Sequence, residues 1–77
     1  MKMTIESTTK LVDILHEGRR IPARVWEGKT ESGITVHAFI TRLEIPNDED
    51  PAQFHRELLA CRAPCADVEG MPGLIEL

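Results

Sequence analysis

Apolar residues alternate with polar ones along two neighbouring stretches: Ile21, Ala23 and Val25, then Ile34, Val36, Ala38 and Ile40. A period of two marks a strand with one buried face. Between them lies Gly28-Lys29-Thr30-Glu31-Ser32-Gly33, with a glycine at each end, which predicts the connection of an antiparallel hairpin. Directly opposite residues share a face, so the odd apolar set of the first strand is expected to meet the even set of the second. Pairing Glu27 with Ile34 does this, setting Val25 opposite Val36, Ala23 opposite Ala38 and Ile21 opposite Ile40. A slip of one residue would turn one apolar set to water.

Further elements follow on either side. Lys10–Leu15 predicts a strand, although LVDIL also fits one and a half helical turns, and His16-Glu17-Gly18-Arg19 reads as a turn into the main hairpin. After Ile40 the apolar parity switches to Leu43 and Ile45, as a β-bulge near Thr41-Arg42 or a strand end buried on both faces would require. Asp50-Pro51-Ala52-Gln53 predicts a helix start. Asp50 suits the N-cap, Pro51 the first helical position, and Gln53 the return arm of a capping box. The helix is expected to reach about Arg62, before Ala63-Pro64, with Phe54, Leu58, Leu59 and Cys61 as its apolar stripe. Leu74-Ile75-Glu76-Leu77 suits a short edge strand. The order β-β-β-α, with a final β, predicts an α+β domain spanning residues 1–77, an antiparallel sheet of three to four strands with one helix packed on one face.

Composition narrows the setting. With 77 residues, one Trp, two Phe and no Tyr, the core must be small and aliphatic, and support from oligomerisation or a partner is expected. A formal net charge of −4 disfavours nucleic acid as a partner. The apolar runs are too short to cross a membrane, and the N-terminal MKMTIESTTK lacks the apolar stretch of a signal peptide. A cytoplasmic protein is expected, with Cys61 and Cys65 reduced.

The chemistry-bearing residues form no catalytic signature. Ala23 to Thr30 loosely fits a phosphate-loop pattern, but a phosphate loop must run from a strand into a helix, and here strands lie on both sides. His55, Cys61 and Cys65, with His16 or His37, are zinc-type ligands at a spacing that matches no common zinc module. Cys61 falls on the helix stripe, where a buried free thiol is expected. Asp48, Glu49 and Asp50 are accounted for by the positive end of the helix dipole. The chain therefore reads as non-enzymatic, with neither metal nor cofactor.

The hairpin's second face carries more information. In the register above it gathers Arg20, Arg24, Trp26, His37, Phe39 and Thr41, with Arg24 facing His37 and Trp26 facing Thr35. Trp, Phe and Arg on one sheet face suit either a protein-binding hot spot or a base-stacking platform. The structural alternative buries Trp26 and Phe39 under another element or a second copy of the chain, as in a homodimer. Glu44, Asp48 and Glu49 offer a second, acidic contact surface.

ARVWEGKTESGITVHAFITR, followed by an acidic, helix-capped FHREL, resembles a pattern in small, functionally unassigned proteins of proteobacterial tailed phages and prophages. The resemblance covers roughly Ile21 to Leu59 and contains no catalytic motif. It implies an accessory protein of the bacterial host's cytoplasm, of anti-CRISPR or other counter-defence type. The expected function is an interaction module that binds and inhibits or modulates a host protein complex, with Arg20, Arg24, Trp26, His37, Phe39, Glu44, Asp48 and Glu49 touching the partner. The alternatives are a nucleic-acid-binding or regulatory module using the Arg/Trp/Phe face, and a homo-oligomeric virion or assembly component.

Overall fold

The computed structural model describes residues 1–76. Its elements are β1 (Met3–His16), β2 (Arg19–Thr30), β3 (Thr35–Ile40), α1 (Pro51–Leu58), α2 (Ala66–Glu69) and β4 (Leu74–Glu76). The fold is α+β, with a four-stranded sheet in the order β3-β2-β1-β4. Leu77, the last residue of the expected edge strand, lies outside the described residues.

β1 is longer than the expected Lys10–Leu15, because its Thr-rich start joins the strand, as β-branched residues favour. Glu17 (φ 51°) and Gly18 (φ 76°) form the two-residue turn between His16 and Arg19. Two positive φ values are the requirement of a type I′ hairpin turn.

The β2–β3 register differs from the expected one. Val25 faces Phe39, Trp26 faces Ala38, Arg24 faces Ile40 and Glu27 faces His37. The partner of Val25 has moved from Val36 to Phe39, three positions along, and an odd shift exchanges the faces of β3. The cause is the loop. Thr30 donates its N–H to the Ile34 carbonyl (2.9 Å), leaving only Glu31-Ser32-Gly33 in the turn, with Gly33 at φ 90°. This three-residue loop with a left-handed glycine overrides the six-residue connection assumed from the two glycines. Gly28 instead lies within β2, where a Cβ would sit 1.8 Å from the Thr4 carbonyl oxygen. β3 is half-buried over Val36–Ile40 without alternation, because both of its faces carry apolar residues. It ends at Ile40, and no strand continues through Leu43 and Ile45.

On one face of the sheet, Ile75, Ile14 and Ile21 form a row across β4, β1 and β2, followed by Val12 with Ala23 and by Val25 with Phe39. Val12, Ile14, Ala23, Val25 and Val68 are the buried apolar residues, with Phe39, Met71 and Ile75 packed against them. At about 1.5–3 kcal/mol for each fully buried Val or Ile side chain, this is a thin core.

The covering helix is α2, whose Val68 is fully buried, whereas α1 buries none of its residues. Of the expected α1 stripe, Phe54 is half-buried, and Leu58, Leu59 and Cys61 are exposed. The cap is as expected, Asp50 Oδ1 accepting from the N–H groups of Ala52 (2.9 Å) and Gln53 (3.2 Å). Gln53 does not reach back to complete a capping box; its side chain accepts from Arg56 (2.7 Å).

α1 stops at Leu58, short of Arg62, because the backbone of Arg62 is used elsewhere. β1 bulges between Ser7 and Leu11, setting Thr8, Thr9 and Lys10 against Val25 alone. Arg62 docks at that bulge, donating its N–H to Ser7 (3.2 Å) and accepting from the Thr9 N–H (2.9 Å). The chain thus crosses the edge of β1 at Arg62, lays α2 on the core face, and returns to the edge as β4. This path makes β4 parallel to β1, so the sheet is mixed and not purely antiparallel.

Candidate functional site

Two polar arrangements hold the sheet where its faces meet the C-terminal segment. The first is built on Glu27, the next inward-facing residue of β2 after Ala23 and Val25, and only 5% exposed. It lies directly between Glu6 of β1 and His37 of β3. Two carboxylates opposite one another repel, so Glu6 and Glu27 need a cation. Arg62 supplies it. Its Nη1 donates to Glu27 Oε1, and its Nε lies 3.3 Å from Glu6 Oε2. Glu27 Oε2 accepts the backbone N–H of Cys65 (2.9 Å).

Hydrogen bonding from the Cys65 thiol, then from its amide and from Arg62, holds the Glu27 carboxyl below its ordinary value, against the opposing effect of burial. The same pairing holds the Arg62 guanidinium above its ordinary value. Glu27 therefore fixes the start of α2 as an anion at neutral pH.

The second arrangement locks the bulge. Thr8 is fully buried, and its hydroxyl donates to the Val25 carbonyl (2.6 Å), which faces no regular β1 partner there. Arg24 Nη1 donates to the Thr8 carbonyl (2.7 Å). Arg24 thus has a structural task on the face opposite the core.

That opposite face carries the candidate site. Its rows are Leu11, Arg24 and Ile40, then Ser7, Trp26 and Ala38. Trp26 is half-buried and borders two clefts. One, of about 280 Å³, is walled by Ile40, Leu43, Leu58 and Leu59 with Arg24 and Arg42. The other, of about 460 Å³, lies toward Glu57, Cys61 and Arg62. Leu43, Leu58 and Leu59 are 44%, 43% and 69% exposed, so the apolar wall faces water. An indole flanked by aliphatic side chains and guanidinium groups has the composition of an interface anchor.

The expected site residues divide. Arg24 and Trp26 stay together, and Thr41 lines the same cleft. His37 and Phe39 are turned to the other face by the β3 register, Phe39 packing on the core. Arg20 is on the Trp26 face, 3.6 Å from Asp13. Glu44 pairs with Arg42, and Asp48 and Glu49 are exposed in the connection before α1. Cys61 is exposed beside Trp26, contrary to its expected burial on the helix stripe, because α1 ends before it.

Sequence reasoning missed the Glu6–Glu27–Arg62 clasp and the wall formed by Leu43 and Arg42. The signal for the first was a charged residue continuing the inward series Ala23, Val25, Glu27. Among the described residues, no three His, Cys, Asp or Glu side chains gather as a metal site. Among the described residues, no helix is long and apolar enough to cross a membrane. Comparison with protein-family models, curated proteins and solved structures returns no match.

Proposed function

We propose that the protein is a non-enzymatic interaction module that grips a partner protein in the cleft beside Trp26. The partner is a host protein complex of the bacterial cytoplasm, in keeping with the resemblance to phage proteins, and occupation of its surface inhibits or modulates it by steric occlusion. The observation that carries this reading is the solvent-facing wall of Leu43, Leu58 and Leu59 around a half-buried Trp26. A small domain with so thin a core gains nothing in stability from leaving large apolar side chains wet, whereas a docking surface requires them. Trp26 is the anchor, and Arg42 is the rim charge that aligns the partner.

The test uses capture from host lysate with three baits: the native chain, Trp26→Ala and Leu59→Lys. Leu59 is far out in solvent, so Leu59→Lys is expected to melt like the native chain yet lose a specific partner by more than about tenfold, as for a hot-spot contact. A partner retained equally by all three baits, or a single-stranded oligonucleotide bound through Arg24 and Trp26 with strong salt dependence, would overturn the reading.

A further inference from the structure

The two edges of the sheet are unlike. β4 is three residues long and carries Glu76, so that edge is short and charged. The opposite edge, β3, is the six-residue Thr-Val-His-Ala-Phe-Ile, with no Lys, Arg, Asp, Glu or Pro and no bulge. Short strands, charges, prolines and bulges are the devices by which proteins blunt an edge, and β3 has none.

Its outer backbone groups are unmatched. The Thr30–Ile34 hydrogen bond fixes which β2–β3 pairs are bonded. In an antiparallel ladder they alternate, so Gly28–Val36, Trp26–Ala38 and Arg24–Ile40 are bonded pairs. The N–H and C=O groups of Thr35, His37 and Phe39 consequently point away from β2. Among the described residues no other backbone or side chain hydrogen-bonds to them. Beside them, the buried Nε2 of His37 has no hydrogen-bond partner.

We propose that β3 is a dimerisation edge, at which two copies of the chain pair Thr35–Ile40 antiparallel about a two-fold axis through His37. This register sets Thr35 of one copy opposite Phe39 of the other, Val36 opposite Ala38, and His37 opposite His37. All three outward-facing residues of each strand then donate and accept. A register shifted by two residues would leave one of them facing residues beyond the strand. Small side chains meet large ones, and the absence of charge in β3 means that no like charges meet at the axis.

A second copy, and not a foreign strand, is the occupant because this strand is complementary to itself. A two-fold contact uses the same β3 edge of both copies, and such an isologous contact closes at two chains. The dimer edge shares Ile40 with the Trp26 cleft, which otherwise lies on a face of the sheet and not at this edge.

The test uses the native full chain. Sedimentation across the micromolar to submillimolar range should show a monomer–dimer equilibrium. Amide exchange followed by NMR should show the N–H groups of Thr35, His37 and Phe39 slowing by at least about tenfold as the dimer forms, as buried ladder amides do. His37→Lys places two ammonium groups at the axis and should weaken the dimer by about tenfold or more, the direction expected for like charges directly opposed. The exchange measurement needs no substitution, so it decides even where that variant fails to fold. A chain that stays monomeric throughout, a dimer in which these three amides exchange freely, or a monomer whose β3 edge is filled by another protein's strand would each overturn the proposal.

Discussion

Replacing Glu27 by Gln tests the clasp with almost no change of shape. The native carboxylate accepts from Arg62 through one oxygen and from the Cys65 amide through the other. A glutamine has a single carbonyl oxygen, so one of these donors must face an NH₂ group. Losing a hydrogen bond to a charged acceptor in a buried site costs about 1.5–3 kcal/mol. Relief of the repulsion between Glu6 and Glu27 returns roughly 0.2–1 kcal/mol. The net expectation is a loss of about 0.5–2.8 kcal/mol, which for a chain of this size lowers the thermal midpoint by about 2–20 °C.

The pH dependence carries an independent signature. The folded Glu27 carboxyl titrates below its ordinary value of 4.5, so the unfolded chain binds the proton more readily. Its stabilisation is therefore fully present above that value and is lost as pH falls through the lower, folded value. Glu27→Gln should remove that acid-limb contribution and flatten the profile there. Thermal melts of both proteins from neutral pH into the acid range measure both effects. Glu6→Gln, altering the exposed partner of Arg62, should do far less. If Glu27→Gln melts with the native protein and keeps its acid slope, the clasp is not what fixes the C-terminal segment.

Cys65→Ala removes the thiol that helps lower the Glu27 carboxyl, so acid unfolding should begin at a higher pH, whereas Cys65→Ser, which keeps a donor, should stay near native; the two acid titrations compare directly. Gly28→Ala forces a Cβ to within 1.8 Å of the Thr4 carbonyl and should cost upward of about 3 kcal/mol, at or beyond the usual range for overpacking, seen as a collapse of the melting midpoint. Asp50→Ala should cost α1 about 1 kcal/mol. Because α1 buries nothing, that loss should appear as faster amide exchange at Ala52 and Gln53 more than in the global midpoint.

What was legible in the sequence was local. The Glu17-Gly18 turn, the Asp50-Pro51 helix start and the edge strand at Leu74 are each encoded within a few residues, where backbone sterics and capping decide. The β2–β3 register was misread because the parity argument assumes a sheet apolar on one face only. Here Val25 and Phe39 face one side while Trp26, Ala38 and Ile40 face the other, so pattern alone no longer selects a register and the loop at Gly33 does. For the candidate site, Trp26 and Arg24 were identifiable from the alternation along β2, on the face opposite Ala23 and Val25. Leu43, Leu58 and Leu59 join them only through the path of the chain after β3. The Glu27–Arg62 pair spans 35 residues and becomes visible only when the C-terminal segment is placed.

The crossing at Arg62 also bears on the order of assembly. The β1–β2 and β2–β3 hairpins close short loops, while the bond from Arg62 to Ser7 must gather residues that are 55 apart in sequence. Closing the longer loop costs more chain entropy, so the hairpins form first and the segment from Ala60 onward closes last. The same segment is then the first to open, and limited proteolysis of the native protein should cut there before it cuts the hairpins. Until it closes, β1 presents a bare edge opposite the bare edge of β3. The speed of that last step sets how long a newly made chain can polymerise along the whole β1 edge as well as through β3.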